Sequence, residues 1–158
     1  MKHITYDEGG GWNLRPYFAY LETVRTQMSE ALYAFAAKVE HYDLSSPTSL
    51  HDAWLEQLVI RDPIGGKLEI AATYLAPFHD RQIHLTYRSV LGYSFVAPQG
   101  MFGMPPMQSG HGDLLMHEVR MSGGAASFEH ELVFSKGAIL VVQFEDFEHR
   151  IEVIGHRT

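Results

Sequence analysis

Ser49-Leu50-His51-Asp52-Ala53-Trp54-Leu55-Glu56 brings an imidazole, two carboxylates and an indole into one short run of sequence. A histidine beside an aspartate is the pairing that general acid–base catalysis uses, and the same two residues also serve to turn or cap a backbone. Ser49-x-x-Asp52 has the spacing of a capping box, which would start a short helix burying Trp54, Leu55 and Leu58. The β-branched pair Val59-Ile60 and the turn residues that follow favour a strand instead. In that reading His51 and Asp52 turn the chain into the strand and Trp54 packs beside a helix.

The sequence holds 10 histidines, and neutral imidazoles beside carboxylates suit zinc, nickel or iron. Their spacing carries no His-x-His or His-Glu-x-x-His pattern. A set assembled across neighbouring strands from His51, His117, His130 and His149 stays open, and it supports one reading of the chain as a small metal-dependent hydrolase. Solitary histidines, each satisfied by one hydrogen bond, are the simpler expectation, with no metal and no cofactor. Ser109-Gly110-His111-Gly112-Asp113 contains the residue types of a hydrolytic triad, but side chains so close in sequence cannot converge in relay geometry. Gly65-Gly66-Lys67 lacks the upstream glycine and the following Ser or Thr of a phosphate loop and reads as a turn. No catalytic residue is assigned.

The 158 residues are of single-domain length, so residues 1–158 are expected to form one domain. With 0 cysteines, disulfides and thiolate chemistry are excluded. The first residues lack the apolar core of a signal peptide and no run is long enough for a membrane span, so the expectation is a cytoplasmic protein. The formal net charge of -7, with the 12 basic residues scattered singly, argues against nucleic acid; it would favour a basic protein partner electrostatically, and a moderately acidic surface that keeps the protein soluble is the simpler reading.

The elements that would position these residues are read from periodicity. Pro16 suits a first helical turn, and Phe18, Leu21, Val24, Met28, Leu32, Phe35 and Val39 recur at helical spacing, predicting one long helix over 16–41. Its length, about 39 Å at 1.5 Å per residue, suggests a projecting end or a homodimer contact. A bent or broken helix is the alternative. After Leu44-Ser45-Ser46-Pro47-Thr48 the pattern becomes extended, and 50–154 is expected to form an antiparallel sheet of six to seven strands. In Ser127 to Ser135, Phe128, His130, Leu132 and Phe134 share one face, which makes His130 the polar oddity on a burial face. The unbroken Ile139-Leu140-Val141-Val142 suggests a strand covered on both sides, and the N-terminal helix is the only cover available. The fold class expected is therefore α+β, a long N-terminal helix packed on one antiparallel sheet, rather than a two-sheet sandwich. The segment 97–112, with Met101, Phe102, Met104 and Met107, reads as a long mobile loop whose methionines would suit an adaptable apolar contact.

Leu50-His51-Asp52-Ala53-Trp54-Leu55 at the first strand, with antiparallel hairpins after it and a closing Ile139-Leu140-Val141-Val142-Gln143-Phe144, resembles a loose group of small bacterial domains sharing a Leu-His-Asp strand start. Some of these look like immunity proteins of polymorphic toxin systems. The resemblance covers about residues 50 to 153 and implies a non-enzymatic protein that binds and blocks a toxin. The surface proposed from sequence to meet a basic toxin is Glu145, Asp146 and Glu148 between Phe144 and Phe147, an aromatic anchor with a charged surround. Met101, Phe102, Met104 and Met107 form a second candidate surface.

Overall fold

The computed structural model describes residues 1–7, 9–96, 110–123 and 126–155. A small hairpin of β1 (Thr5–Tyr6) and β2 (Trp12–Asn13) leads into α1 (Arg15–Val24), a 3-10 turn (Arg25–Gln27), α2 (Glu30–Ala36) and a second 3-10 turn (Val39–Tyr42). Eight strands follow: β3 (Trp54–Arg61), β4 (Glu69–Leu75), β5 (Arg81–Arg88), β6 (Gly92–Val96), β7 (Leu114–Met121), β8 (Phe128–Phe134), β9 (Ile139–Phe144) and β10 (Asp146–Val153).

These strands form two four-stranded antiparallel sheets, ordered β10-β5-β4-β3 and β6-β9-β8-β7. The sheets share a corner. The paired β5 and β10 pass directly into the paired β6 and β9, and Leu91 N donates to Gln143 O while Glu145 N donates to Arg88 O across the bend. At the far side Trp54 bridges Asp113, which ties the start of β3 to the start of β7. The two sheets thus enclose one core, where Ile70, Tyr74, Ile83, Leu85 and Tyr87 of the first meet Val119, Leu132, Leu140, Val142 and Phe144 of the second.

The expected α+β arrangement, a helix over 16–41 laid on one sheet of six to seven strands, is not what forms. The chain is mostly β, and its second sheet does the covering that the helix was expected to do. Two local features break the helix. Met28 is extended (φ -93, ψ 148), and Ser29 caps the next helix by accepting a hydrogen bond from Leu32 N through its side chain. The apolar spacing nevertheless holds across the break, so Leu21, Met28, Leu32 and Phe35 all reach the core. The Ile139–Val142 run departs from the expectation of two covered faces for a separate reason. Its burial alternates, with Leu140 and Val142 buried and Ile139 and Val141 half-buried, so an aliphatic run here marks one covered face rather than two.

The helices instead protect a strand edge. Tyr17 Oη accepts from Val119 N at 3.0 Å, Tyr20 Oη accepts from Met121 N at 2.7 Å, and Tyr42 Oη donates to His117 O at 3.1 Å. Three phenols therefore satisfy backbone groups along the outer edge of β7 that would otherwise offer a template for strand addition. The N-terminal segment completes this cover. The buried Glu118 carboxylate accepts from the backbone N–H groups of Lys2, His3 and Ile4. Among the described residues no helix is long and apolar enough to cross a membrane.

Candidate functional site

The His51-Asp52 stretch is a seam. Ser49 Oγ, Leu50 N and His51 N all donate to the carbonyl of His41, at 3.0 to 3.1 Å. Asp52 N donates to Leu114 O and Leu114 N to Ala53 O, each at 2.8 Å, which stitches this segment onto β7. Asp52 takes the left-handed conformation (φ 64) that lets the chain reverse here, a conformation that Asp tolerates better than most residues. His51 Nδ1 sits 2.9 Å from Asp52 Oδ1, but off the hydrogen-bond direction, so the pair lacks the alignment of a catalytic dyad. Asp113, across the seam, has its carboxyl pushed up by burial first and by the Asp52 carboxylate second, against the pull of Lys136.

This seam sets the position of Trp54. A register shift between Leu55 and Gln57 bulges β3 just inside its start, and bulges re-aim the side chains beside them. Trp54 is left 50% exposed, and a cleft of about 510 Å³ opens against Leu55, Glu56, Leu75 and His79. Its lining is predominantly apolar, while Glu56 is held at the rim by a hydrogen bond from Gln82. Sequence reasoning had Trp54 packed beside a helix. The signal it passed over is parity: Trp54 shares a strand face with Glu56, not with Leu55.

Three of the four histidines considered for a cross-strand set do converge, but without His51. His117 on β7, His130 on β8 and His149 on β10 gather with His41 from the second 3-10 turn around the ring of Phe35 on α2. Ring centroids of these histidines lie 4.7 to 5.7 Å from that of Phe35. Tyr87 Oη is 2.8 Å from His130 Nδ1, and His130 Nε2 is 3.1 Å from His117 Nδ1, so a phenol and two imidazoles form one hydrogen-bonded chain in the core. Beyond it, His117 Nε2, His149 Nε2 and both nitrogens of His41 are buried with no hydrogen-bond partner among the described residues.

The cluster is held neutral. Burial lowers His41 to about 2, assisted by the charge of His117, and lowers His130 to about 3. It lowers His117 well below the ordinary value, with His130 adding to the effect, and it lowers His149 as well. A metal-binding reading meets two obstacles here. Both ring nitrogens of His130 are engaged, and Phe35 occupies the centre that an ion would need. Among the described residues no three His, Asp or Glu side chains are grouped to hold one.

The partner surface expected from sequence is distributed differently. Phe144 is 0% and Phe147 is 7% exposed, so both aromatics belong to the core and neither stands as a surface anchor. The acids between and beside them are exposed but engaged. Glu145 pairs with Lys67 at 2.9 Å, which holds its carboxyl below the usual range. Asp146 and Glu148 share Arg88 at 3.6 and 2.5 Å. Met101, Phe102, Met104 and Met107, with the rest of 97–109, lie outside the described residues.

The sequence matches no protein-family model, and no curated protein is similar to it.

Proposed function

We propose that this chain is a non-enzymatic binding protein of the immunity type, which engages a basic protein partner through the cleft at Trp54. The observation that carries the reading is a half-exposed tryptophan held on a bulged strand above an apolar floor. Tryptophan in a partly enclosed pocket is the side chain most enriched among residues that dominate protein interfaces. Glu56 lines the cleft, Asp113 is bridged to Trp54, and the Asp52 carboxylate acts on Asp113, so an apolar anchor is bordered by acids, in a chain of net charge -7. A basic partner inserting an aliphatic or aromatic side chain fits both features, and the acids would speed its encounter.

The experiment is binding to the purified basic product of an adjacent gene. Trp54→Ala should raise Kd by about 30-fold or more, the loss expected of a dominant interface residue. Asp52→Asn with Glu56→Gln should slow association and flatten its salt dependence, since asparagine tolerates the left-handed backbone at 52. An unchanged Kd for folded Trp54→Ala would remove the cleft from the interface. The alternative of a metal-dependent hydrolase has in its favour the convergence of His117, His130 and His149, and the same preparations test it: one equivalent of zinc retained through gel filtration would restore it.

A further inference from the structure

The histidine cluster is closed by one short element. α2 has 7 residues and lies between two stretches of extended backbone, Met28–Ser29 before it and Lys38 after it. Its Phe35 ring touches all four imidazoles and also Phe147, at 4.7 Å between centroids. Helices this short gain their stability from docking rather than from their own hydrogen bonds. Downstream, the His41 carbonyl is fixed by its three bonds from Ser49, Leu50 and His51, which anchors the backbone at the end of the segment. On its outer side, Tyr33 Oη bonds the Glu22 carboxylate and the same ring lies under Arg25, so α2 is linked to α1 independently of the sheet.

From the geometry we infer that α2 is an acid-released lid: protonation of the buried histidines lifts Phe35 from the sheet, with Met28–Ser29 and Lys38 as hinges, while the two sheets stay paired. Four imidazoles share one apolar chamber, and His41 and His117 are 5.6 Å apart between centroids, His117 and His130 5.1 Å. A second positive charge there would meet the first at close range. The groups that face the cluster cannot neutralise it. From α1 comes the Tyr17 phenol, which serves Val119 N, and from the second 3-10 turn comes Tyr42, stacked on His117. From β5 comes Tyr87, and from the linker comes Lys38, whose charge disfavours protonation of His41 and His149. On β7 the Glu118 carboxylate is taken up by the N-terminal amides, and on β8 Glu129 and Glu131 bond Arg120, whose charge opposes protonation of His130. Among the described residues no carboxylate contributes to the titration of His41, His117, His130 or His149. Lifting α2 takes Phe35 out of the core together with Leu32 and Ala36, and it lets water reach the unpartnered nitrogens of His41, His117 and His149 while the strand ladders remain intact. A helix this short, flanked by extended backbone and docked against groups that charge on acidification, opens before the body of the domain does.

Hydrogen exchange read by mass spectrometry on the whole chain at pH 7.5 and 5.5, with times scaled for the intrinsic pH dependence of exchange, tests this. Segments within 30–37 should lose at least 10-fold in protection at pH 5.5 relative to segments of β5 and β9. His41→Phe, which keeps an aromatic ring in the chamber and deletes one titrating group, should retain more of that protection than the parent at pH 5.5. Equal loss in α2 and in the strands would mean global acid unfolding and overturn the inference, as would an unchanged ratio. Should His41→Phe fail to fold, the parent's exchange ratio decides alone.

Discussion

Acidification from pH 7.5 to 5.5 is expected to remove a large part of this protein's stability. The sign follows from the direction of the shifts. His41, His117 and His130 are all held below their ordinary value by burial, so the unfolded chain binds protons that the closed fold refuses. Their contribution is fully present above the unfolded value near 6.5 and is lost as pH falls below it. An imidazole that stays neutral in the fold costs about 0.1 kcal/mol at pH 7.5 and about 1.4 kcal/mol at pH 5.5, by linkage to an unfolded value of ~6.5. For the three fully buried rings the closed state therefore loses about 4 kcal/mol, against a total stability of roughly 5–15 kcal/mol for a domain. His149 is half-buried and His84 and His3 more accessible still, so they are left out of that figure. Carboxylates held below their ordinary value act outside this window, and Asp113, raised by burial, works against the loss rather than adding to it. Glu131, whose carboxyl is lowered by the N-terminal ammonium and by Arg120 in spite of burial, loses its contribution only at more acid pH. Urea unfolding at half-unit steps of pH gives the proton count directly: near pH 6 the slope should approach about 3 kcal/mol per pH unit, or a little over two protons. The slope flattens at the pH where α2 opens, since an open lid takes up the same protons without unfolding the sheets. A slope below one proton between pH 6.5 and 6.0, with α2 still protected from exchange over that interval, would mean that the cluster is not kept neutral by burial.

Three other predictions concern the seam and the edge. Tyr17→Phe removes the acceptor of a buried backbone N–H and should cost about 1–3 kcal/mol, while Tyr20→Phe, at a partly exposed bond, should cost less because water can replace it; equal unfolding midpoints for both variants and the parent would show that the phenols do not cap β7. Glu118→Gln halves a carboxylate that serves three backbone N–H groups and should cost on the order of 2–4 kcal/mol in chemical denaturation, with exchange protection of Ile4 lost first. Asp52→Gly relieves the left-handed backbone and should raise Tm by about 2–4 °C, each kcal/mol being worth that much in a chain of this size; a fall in Tm would mean that the His51 contact outweighs the strain.

Most strands were legible because one face of each is buried and the alternation is clean. Leu114 to Met121 was placed with its observed bounds, and Phe128, His130, Leu132 and Phe134 were set on the buried face where they lie. What alternation cannot convey is which surface covers that face. A helix and a second sheet present the same apolar demand to a strand, and the choice here rested on the Ile139–Val142 run, whose outer positions turned out to be half-buried. For 16–41 a bent or broken helix stood beside one long helix, and the broken form is what occurs. The apolar spacing continues across the break and so does not decide between them; Ser29, a helix-start residue that neither reading used, marks where the second helix begins.

The histidines were harder for a different reason. Strand parity put His130 inside and allowed His117 to reach it, yet parity does not say whether an internal histidine meets a carboxylate, a metal or another histidine. That depends on which residues arrive from elsewhere, and the decisive arrivals are Tyr87 from the opposite sheet and Phe35 with His41 from the broken helix. Both depend on the sandwich, which a helix laid over a single sheet does not provide. Tyr87 can satisfy His130 only because β5 faces β8 across the core, and His130 can satisfy His117 only as its diagonal neighbour on the adjacent strand. The chain of bonds ends there, leaving His41 to be tolerated as a neutral ring under Phe35. A fold selected for stability alone would gain by placing a leucine at such a position, where no polar atom lacks a partner. Retaining an imidazole there makes the docking of α2 depend on pH across the interval in which histidine titrates, and this dependence is what the exchange experiment measures.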